Sequence, residues 1–465
     1  MIIFAAILSF IAVLSIVRRE FNPAYKISWI IMVAFLPIIG PLFYLIYGKM
    51  SVGHYLRQAN KRSSRDITTY LHSFEKNIEI QNSDFKKMSK YIREITGMPV
   101  WDKTATVIYN RGIDMFEAMK QSLSKAEKFI FIEMFIIAEG RMLEEITQIL
   151  IDKAKSGVDI RFIYDDFGGS ARIPVGFKNR LTKNGIQIKT FNPLRPRMSA
   201  SINYRDHRKI IVVDGNVAFT GGINFADEYI NESIRFGYWK DGGIKLTGFG
   251  VFNFTLMFLN MWEILNRAIE QYDKYLPTIE EETDGFVLPF PDGPFDGHQT
   301  TGNVYLKIIS SATKYVYITT PYLILDNELL VGLKIAAMSG IDVRIILPHI
   351  PDKKLVFIVT RSYYGELIEA GVKIYEYTPG FIHTKSIITD DILGIVGTAN
   401  FDFRSLYLHF EDSCLLCNNS SLIDLRNDFL ETVAISHEIK TDDLKKEGII
   451  KKFVLSILKV FSPLM

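Results

Sequence analysis

The sequence predicts an α/β protein in which two pseudo-twofold-related α-β-α domains follow an N-terminal two-segment transmembrane hairpin. Four segments of the chain recur in the same order in its second half, β-rich runs alternate with helical patterns within each copy, and two uncharged apolar runs open the sequence. The chain has 465 residues, which is longer than one ordinary core and favours two domains or more.

The predicted hairpin occupies residues 1–50. Residues 1–17 carry no charged side chain, and a second uncharged run covers residues 27–48. Because roughly 17–25 apolar residues span a bilayer, the first run is barely long enough and the second is sufficient. Arg18 and Arg19 stand where small residues would mark a cleavage site, which argues against a signal peptide.

The second apolar run contains residues that should break a helix, so it either spans the bilayer or turns back as a shallow hairpin; these are Pro37, Gly40 and Pro41. Residues 51–99 are polar and predict a helical connector. More basic residues follow the second run than lie between the two runs, which favours a cell-membrane protein with its catalytic body on the cytoplasmic side.

Residues 449–465 are a further membrane candidate. Apolar residues recur there at helical spacing between lysines, a pattern typical of an amphipathic helix on a membrane surface. The same pattern also fits a helix packed on the protein's own core, and both interpretations stay open. The apolar positions are Ile450, Phe453, Val454, Ile457, Leu458 and Phe461.

The duplicated body is predicted as a first domain at residues 100–290 and a second at 291–448, joined by the turn-rich stretch 289–297. The repeated pairs are KFIFIEMFI and KYVYITTPY, SGVDIRFIY and SGIDVRIIL, NGIQIKTFNP and AGVKIYEYTP, and DHRKIIVVDGNVAFTGGINF and IHTKSIITDDILGIVGTANF. Blocks that keep their order and spacing indicate internal duplication. Each copy reads strand–helix–strand–helix–strand, which implies a parallel or mixed sheet with helices on its faces.

Composition excludes several classes of protein. The net charge is +2, with 54 Lys+Arg against 52 Asp+Glu, so the basic excess of a nucleic-acid binder is missing. Only two cysteines are present, which excludes a disulfide framework. Cys414 and Cys417 lie in the apolar run CLLC, which predicts a buried strand, and residues three apart on a strand point to opposite faces.

Each copy carries the pattern His-x-Lys-x4-Asp, as His207, Lys209 and Asp214 and as His383, Lys385 and Asp390. Residues two apart on a strand share a face, so each lysine should project beside its histidine while the residue between them points away. An imidazole can be a nucleophile or a general acid, and a lysine can hold a phosphate oxygen. Two such half-sites together would place a nucleophile and an acid on opposite faces of one phosphorus.

A Gly-rich turn with an asparagine follows each motif, and Asn224 and Asn400 lie at the same distance after their histidines. Backbone N–H groups and an amide there could face an anion. Asp241 and Glu411 come later and could fix the tautomer of an imidazole. No metal and no cofactor are expected, because each motif sets one histidine beside a cationic lysine, which repels a metal ion.

These motifs resemble the phospholipase D superfamily, and within it the bacterial cardiolipin synthases. The resemblance covers nearly the whole chain, including IEMFIIAEG, DHRKIIVVDG and FTGGINFADEY in the first half, PGFIHTKSIITDD and VGTANFDFRSL in the second, and the two N-terminal runs. One departure is that the family usually reads Leu-Asn-x-Glu where this chain has Leu408-His409-Phe410-Glu411.

The resemblance implies a phosphatidyltransferase that needs no metal. One histidine would attack a phosphatidylglycerol and release glycerol, and a second phosphatidylglycerol would then attack the phosphatidyl-histidine to give cardiolipin. Family analogy makes His207 the nucleophile and His383 the acid and base, although the pseudo-symmetry allows the reverse. Asp214 and Asp390 belong to the signature, and their odd spacing from the lysines predicts that they brace the strand and its turn. Water as acceptor, giving hydrolysis, stays open from sequence.

Overall fold

The computed structural model describes residues 2–48, 54–72, 78–170, 172–193, 203–283, 285–295, 297–445 and 449–464. The strands of the first half are β1 (Thr104–Tyr109), β2 (Phe129–Met134), β3 (Asp159–Asp165), β4 (Gln187–Phe191), β5 (Ile210–Val213), β6 (Val217–Gly221), β7 (Tyr238–Lys240) and β8 (Gly243–Gly248). The strands of the second half are β9 (Phe286–Asp292), β10 (Tyr315–Thr319), β11 (Asp342–Pro348), β12 (Lys373–Tyr377), β13 (Gly380–Ile382), β14 (Ser386–Thr389), β15 (Leu393–Gly397), β16 (Glu411–Cys417) and β17 (Ser436–Ile439).

Helices flank these strands in the order that the periodicity predicts. The helices up to the middle of the chain are α1 (Ile2–Val17), α2 (Pro23–Phe35), α3 (Ile39–Phe43), α4 (His54–His72), α5 (Ser83–Thr96), α6 (Gly112–Ser124), α7 (Arg141–Lys155), α8 (Asp166–Gly169), α9 (Phe177–Lys183) and α10 (Val251–Asn266). Those of the second half are α11 (Thr300–Ser311), α12 (Asn327–Met338), α13 (Lys354–Arg361), α14 (Tyr364–Glu369), α15 (Phe403–Tyr407), α16 (Ser421–Ala434), α17 (Thr441–Lys445) and α18 (Ile449–Phe461).

Two mixed sheets repeat the same topology. The first runs β1-β8-β6-β5-β2-β3-β4, and the second runs β17-β12-β11-β10-β14-β15-β16-β9. In each, three consecutive strands joined by helices are parallel, and the motif strand returns antiparallel to the first of them. The predicted duplication and the predicted mixed sheets are therefore confirmed.

The two sheets share one hydrophobic core. Helix α10 is buried along nearly all its length and packs between them, with Phe258 stacked on Phe131 of β2 at 4.6 Å between ring centroids. The same cluster of buried side chains extends to Val287 of β9 and to Ile387 of β14. Burying each such side chain stabilises the fold by roughly 1.5–3 kcal/mol. The halves are therefore held together by packing of apolar side chains.

Strand β9 bears on the boundary between the domains. It begins at Phe286 and pairs antiparallel with β16 of the second sheet. Residues 286–290, which the sequence places in the first domain, therefore lie in the second sheet, so the expected joint at 289–297 begins inside a strand. The alternation of β9 is obscured by Pro289 and Pro291, which make it look like a turn.

The predicted connector forms two helices that join the core. Helix α4 packs on α10, where the Ser63 hydroxyl donates to Glu263. Helix α5 lies against β9, and its Phe85 stacks on Phe286 at 5.8 Å between ring centroids. Both helices contribute buried apolar side chains to the hydrophobic core that the two sheets share.

The N-terminal helices α1 to α3 form a hairpin with an apolar outer surface. The second helix ends before Pro37, as the helix-breaking residues predict, and α3 folds back so closely that a Cβ on Gly40 would lie 2.6 Å from the Met32 carbonyl oxygen. Large apolar side chains on the hairpin point outward, and Phe35 is 82% exposed. Among the helices that the structure describes, none combines the length and apolar character needed to cross a membrane.

The C-terminal helix α18 packs against α2 and α13. Its Lys459 ammonium lies 3.0 Å from Glu366, and the Ser28 hydroxyl of α2 donates to the Val460 carbonyl at 2.6 Å. Val454 and Ile457 remain about half exposed, at 46% and 43%. One face of α18 thus packs on the rest of the protein. Another face carries apolar side chains that are exposed to solvent.

Candidate active site

The site lies where the two halves pair through short backbone segments. Strand β13, which leads into His383, pairs in parallel with β7, and the His383 N–H donates to the Lys240 carbonyl at 2.8 Å. The mirror contact joins Asp206 to Phe410, and the His207 N–H donates to the Phe410 carbonyl at 2.9 Å. The backbone of each histidine therefore lies beside the residue that precedes a carboxylate of the other half, Asp241 for His383 and Glu411 for His207.

That pairing makes the carboxylates cross over between the halves. Nδ1 of His207 lies 2.9 and 3.0 Å from the two carboxylate oxygens of Glu411, and Nδ1 of His383 lies 2.7 Å from Oδ2 of Asp241. Both carboxylates are fully buried, and burial acting alone would raise their pKa values. The neighbouring imidazole and other nearby groups together outweigh burial in each case and keep the pKa of Asp241 and of Glu411 below its usual range.

An ionised carboxylate can only accept, so each Nδ1 carries the hydrogen and each Nε2 is left for chemistry. We call His207, Lys209 and Glu411 the first half-site, and His383, Lys385 and Asp241 the second half-site. Burial holds the pKa of His207 well below its ordinary value and lowers that of His383 to about 4, so both rings are neutral nucleophile-competent imidazoles in the free protein.

The two lysines are buried beside the histidines. Lys209 Nζ donates to the carbonyl of His207 at 2.7 Å, and Lys385 Nζ donates to the carbonyl of His383. Burial lowers the pKa of Lys209 to about 8 and that of Lys385 to about 7, and the charge of Lys209 adds to the lowering at Lys385. Since Lys209 also lowers the pKa of His383, the two half-sites belong to one electrostatic centre.

Arg208 points away from this centre, as the alternation of a strand predicts. Its guanidinium lies 2.7 Å from Glu133 and 3.1 Å from Asp206, in the interior of the first half. Asp412 extends the same buried group, because it accepts from the Lys209 N–H at 3.2 Å and from the Thr220 hydroxyl. Burial raises the pKa of Asp412 to about 7.

The two motif aspartates brace the sheets and do not face the histidines. The Asp214 carboxylate accepts the N–H groups of Glu127, Lys128 and Phe129 at 2.7–2.9 Å. The Asp390 carboxylate accepts the corresponding N–H groups in the second half, from Thr313, Lys314 and Tyr315. Both aspartates have positive φ, at 53° and 56°, and each opens the turn after its motif strand. Their place agrees with the bracing role expected from their spacing.

The two asparagine amides, expected as substrate-binding or supporting groups, hydrogen-bond to neighbouring groups of the chain. Asn224 accepts the Ile136 N–H at 2.9 Å and donates to the Tyr229 hydroxyl at 2.7 Å. Asn400 donates to Ser405 at 3.1 Å. Oδ1 of Asn400 has no hydrogen-bond partner among the described residues, and the contact of these amides with an anion stays a prediction.

The Gly-rich turn of the first half allows the two halves to pack closely. A Cβ at Gly222 would lie 2.0 Å from Oδ1 of Asp241 and 2.7 Å from the carbonyl oxygen of His383, so only glycine fits. The matched residue Thr398 instead donates its hydroxyl to Glu411 at 2.6 Å. Sequence reasoning missed Thr398, although its position in the repeat, opposite Gly222, was the available signal.

Aromatic rings close the site around both histidines. Phe135 lies edge-on to His207 at 4.8 Å between centroids, and Tyr229 and Trp239 lie 5.5 Å from His383. His409 lies 5.5 Å from His207. Ligand atoms of His207, His409 and Glu411 fall within 4.8 Å of one another, a set that a divalent ion could use, but Glu411 already accepts from His207 and Thr398.

Cys414 and Cys417 lie on β16 and are buried free thiols, which confirms the predicted buried strand. Burial raises the pKa of Cys417 to about 12, so this thiol stays protonated. Neither residue contributes to the half-sites.

Two repeated sheets with crossed histidine–carboxylate pairs and buried lysines define a two-domain phospholipase D-like protein. The family described as "Cardiolipin synthase, PLD-like domain" matches residues 119–233 and 305–432, and "Phospholipase_D-nuclease N-terminal" matches residues 7–49. The chain belongs to the cardiolipin synthase family of phospholipase D-like proteins.

Individual relatives agree with this assignment. A cardiolipin synthase of Halalkalibacterium halodurans is 34% identical over 454 residues, covering 96% of this chain and 90% of that protein. Cardiolipin synthase 2 of Bacillus anthracis is 34% identical over 452 residues, covering 96% and 87%. An uncharacterized protein of Streptococcus mutans is 43% identical over 460 residues, covering 98% and 99%.

Among solved structures, phosphatidylserine synthase of Haemophilus influenzae superposes with a TM-score of 0.61 at 13% identity, over 82% of this chain and all of that one. At that identity the likeness concerns the fold.

Proposed function

We propose that this protein is a cardiolipin synthase that transfers a phosphatidyl group from one phosphatidylglycerol to another, giving cardiolipin and glycerol. The observation that carries the proposal is the crossed arrangement of the two half-sites, in which each histidine is oriented by a buried carboxylate of the other half. Family membership supplies the substrate class, and the geometry supplies a two-step route.

In the first step Nε2 of His207 attacks the phosphorus of a phosphatidylglycerol. The new N–P bond forms as the P–O bond to the headgroup glycerol breaks, and the imidazolium of His383 gives its proton to the departing oxygen. Glu411 stabilises the positive charge that develops on His207. Lys209 and Lys385 hold the non-bridging oxygens and offset their charge.

In the second step a hydroxyl of another phosphatidylglycerol gives its proton to His383 and attacks the phosphorus. The N–P bond breaks and His207 returns to its neutral form. Burial lowers the pKa of His383 to about 4 in the free protein, and the negative charge of a bound phosphodiester favours its protonated form. No step requires a metal ion or a cofactor, because the lysines and the imidazoles carry the charges.

We place the protein in the cell membrane through residues 1–50, with the catalytic body on the cytoplasmic side. Support comes from the exposed apolar surface of α1 to α3 and from the basic residues that follow the second apolar run. The half-exposed apolar face of α18 adds an amphipathic surface at residues 449–465. Phosphatidylglycerol and the bilayer are the proposed partners, and nucleic acid is not.

Purified protein incubated with phosphatidylglycerol labelled in its headgroup glycerol tests the reaction. Transfer is expected to release labelled glycerol and to form a dimeric lipid that retains one labelled glycerol. Phosphatidic acid with labelled glycerol and no dimeric lipid would mean that water is the acceptor, and the proposal would be wrong.

Removal of residues 1–50 tests the membrane attachment. The shortened chain should fold and turn over detergent-dispersed lipid, while turnover on vesicles falls several-fold, because anchoring raises the local concentration of the site at the lipid surface. Equal losses on both substrates would mean that the hairpin supports the site instead. Such a role has a structural route, since the Asn22 amide donates to the Tyr407 hydroxyl at 2.8 Å, close in sequence to Glu411.

A further inference from the structure

The repeat places different rings at one matched position of the two half-sites. Trp239 stands two residues before Asp241, and His409 stands two residues before Glu411. Each ring lies 5.5 Å from its histidine, Trp239 from His383 and His409 from His207. The distance between the two rings is thus the same in both half-sites, but the first has an imidazole where the second has an indole.

His409 is an imidazole beside a carboxylate that already serves another imidazole. Its Nδ1 lies 3.7 Å from Oε1 of Glu411, its side chain is 11% exposed, and neither ring nitrogen has a hydrogen-bond partner among the described residues. A buried N–H without an acceptor is unfavourable, so a small rotation of the His409 ring toward Glu411 is favoured. Asp241 is held differently, by His383 and by the Gly242 N–H at 2.8 Å, and the described residues place no second imidazole against it.

A carboxylate shared by two imidazoles stabilises a positive charge on either one less than an undivided carboxylate does. An N–H donated by His409 withdraws charge from Glu411, and any positive charge on His409 opposes protonation of His207. Burial chiefly, with the charge of Lys209 and of His409 contributing, holds the pKa of His207 well below its ordinary value. Other groups that face Glu411 electrostatically are Lys209, Lys385 and Tyr305.

We infer that His409 is a positioning residue that shares Glu411 with His207 and thereby keeps His207 neutral as the nucleophile, while His383 with its undivided Asp241 serves as acid and base. The inference rests on the proposed function for its roles. It concerns the protonation of a ring in the free protein, which can be measured without turnover.

The test compares His409→Phe, which keeps a ring but removes both nitrogens, with His409→Asn, which keeps an N–H donor toward Glu411. Trp239→Phe is the matched control in the second half-site. The acid limb of kcat/KM for lipid turnover reports ionisation of the free enzyme's nucleophile. It should move to higher pH in His409→Phe, lowering kcat/KM about three- to tenfold on that limb, since one pH unit corresponds to tenfold. His409→Asn should restore the wild-type limb, and Trp239→Phe should leave it in place.

NMR titration of histidine ring nitrogens gives the second readout, with the His207 signal assigned by its loss in His207→Gln. The titration of His207 in the free protein should shift upward in His409→Phe and return in His409→Asn. If His409→Phe fails to fold, His409→Leu carries the same expectation. An unchanged His207 titration, or an equal change in Trp239→Phe, would overturn the inference. A protein with the NMR shifts but no lipid transfer would contradict the proposed function and leave the coupling of His409 to His207 standing.

Discussion

In both half-sites a buried carboxylate of the opposite half holds Nδ1 of a histidine, at 2.9 Å in the first and 2.7 Å in the second. The surroundings differ. Behind His207 lie Arg208 and its acidic partners, whereas the repeat puts neutral Thr384 at the position matched to Arg208.

Duplication therefore explains the shared machinery but not the separate tasks of the two histidines. A symmetric site would give both rings the same basicity, and a two-step transfer needs one ring that attacks and one that moves a proton. The differences lie beside the shared catalytic residues, at Arg208 against Thr384 inside the motif and at His409 against Trp239 just before the carboxylate. Changes at these matched positions separate what the halves share from what each does alone.

Removing either histidine tests whether the halves form one site. His207→Ala and His383→Ala should each lower kcat by on the order of 10⁴-fold or more, and the double variant should be scarcely worse, because residues acting as a unit are strongly non-additive. The measurement is glycerol release from phosphatidylglycerol. His437→Ala, on an exposed side chain of β17, is the control and should keep full activity. Half the wild-type rate in each single variant would show two independent sites.

Neutralising the crossed carboxylates sharpens the comparison. Glu411→Gln and Asp241→Asn keep the size of the side chain but no longer stabilise an imidazolium or fix the tautomer through an ionised acceptor. Each should lower kcat by roughly 10²- to 10⁴-fold. Circular dichroism and Tm check that both variants fold. If the variants act through the histidines, combining Glu411→Gln with His207→Ala should add little to the loss from His207→Ala alone, and additive losses would contradict the crossed pairing.

The sequence was sufficient to predict the repeat, the two mixed sheets and the pairing of each motif histidine with its lysine. Period-2 runs and the matched blocks carry that information locally. Asp214 and Asp390 could also be predicted as braces, because their spacing from the lysines is odd. The sequence did not reveal that β7 pairs with β13, because a three-residue strand between domains leaves no periodic pattern.

The asparagines make contacts that their local sequence does not predict. Asn224 and Asn400 lie in Gly-rich turns that resemble anion sites, yet their amides bond to neighbouring chain. Buried amides usually find hydrogen-bond partners through tertiary contacts, which the local sequence does not specify. Likewise, β9 carries two prolines and predicts a turn, but as the edge strand of its sheet it tolerates them.

Buried charge behind His207 should make the first half more sensitive to substitution. Arg208→Met leaves Glu133 and Asp206 without their cation, which should lower the free energy of unfolding by about 3–5 kcal/mol. Thr384→Val, the matched change, should alter it by about 0.5 kcal/mol. Urea denaturation of both variants measures the difference, and equal losses would mean that the buried ion pairs do not distinguish the halves.

The two buried lysines predict how anion binding depends on pH. As pH rises, the lysine of the second half-site should lose its proton first. Burial lowers the pKa of Lys385 to about 7 and that of Lys209 to about 8, so the ammonium form that holds a phosphate is half populated at Lys385 at pH 7 and is lost from both as pH rises through these values. The Kd for inorganic phosphate should increase by about tenfold per pH unit once one lysine has lost its proton. Lys385→Arg keeps its charge at all accessible pH and should move the onset of weakening upward toward the pKa of Lys209, whereas Lys209→Arg should leave the onset near pH 7. Calorimetric titration with phosphate between pH 6 and 9.5 measures both variants, and a Kd that stays constant over this range in the wild-type protein would show that the buried lysines keep their protons.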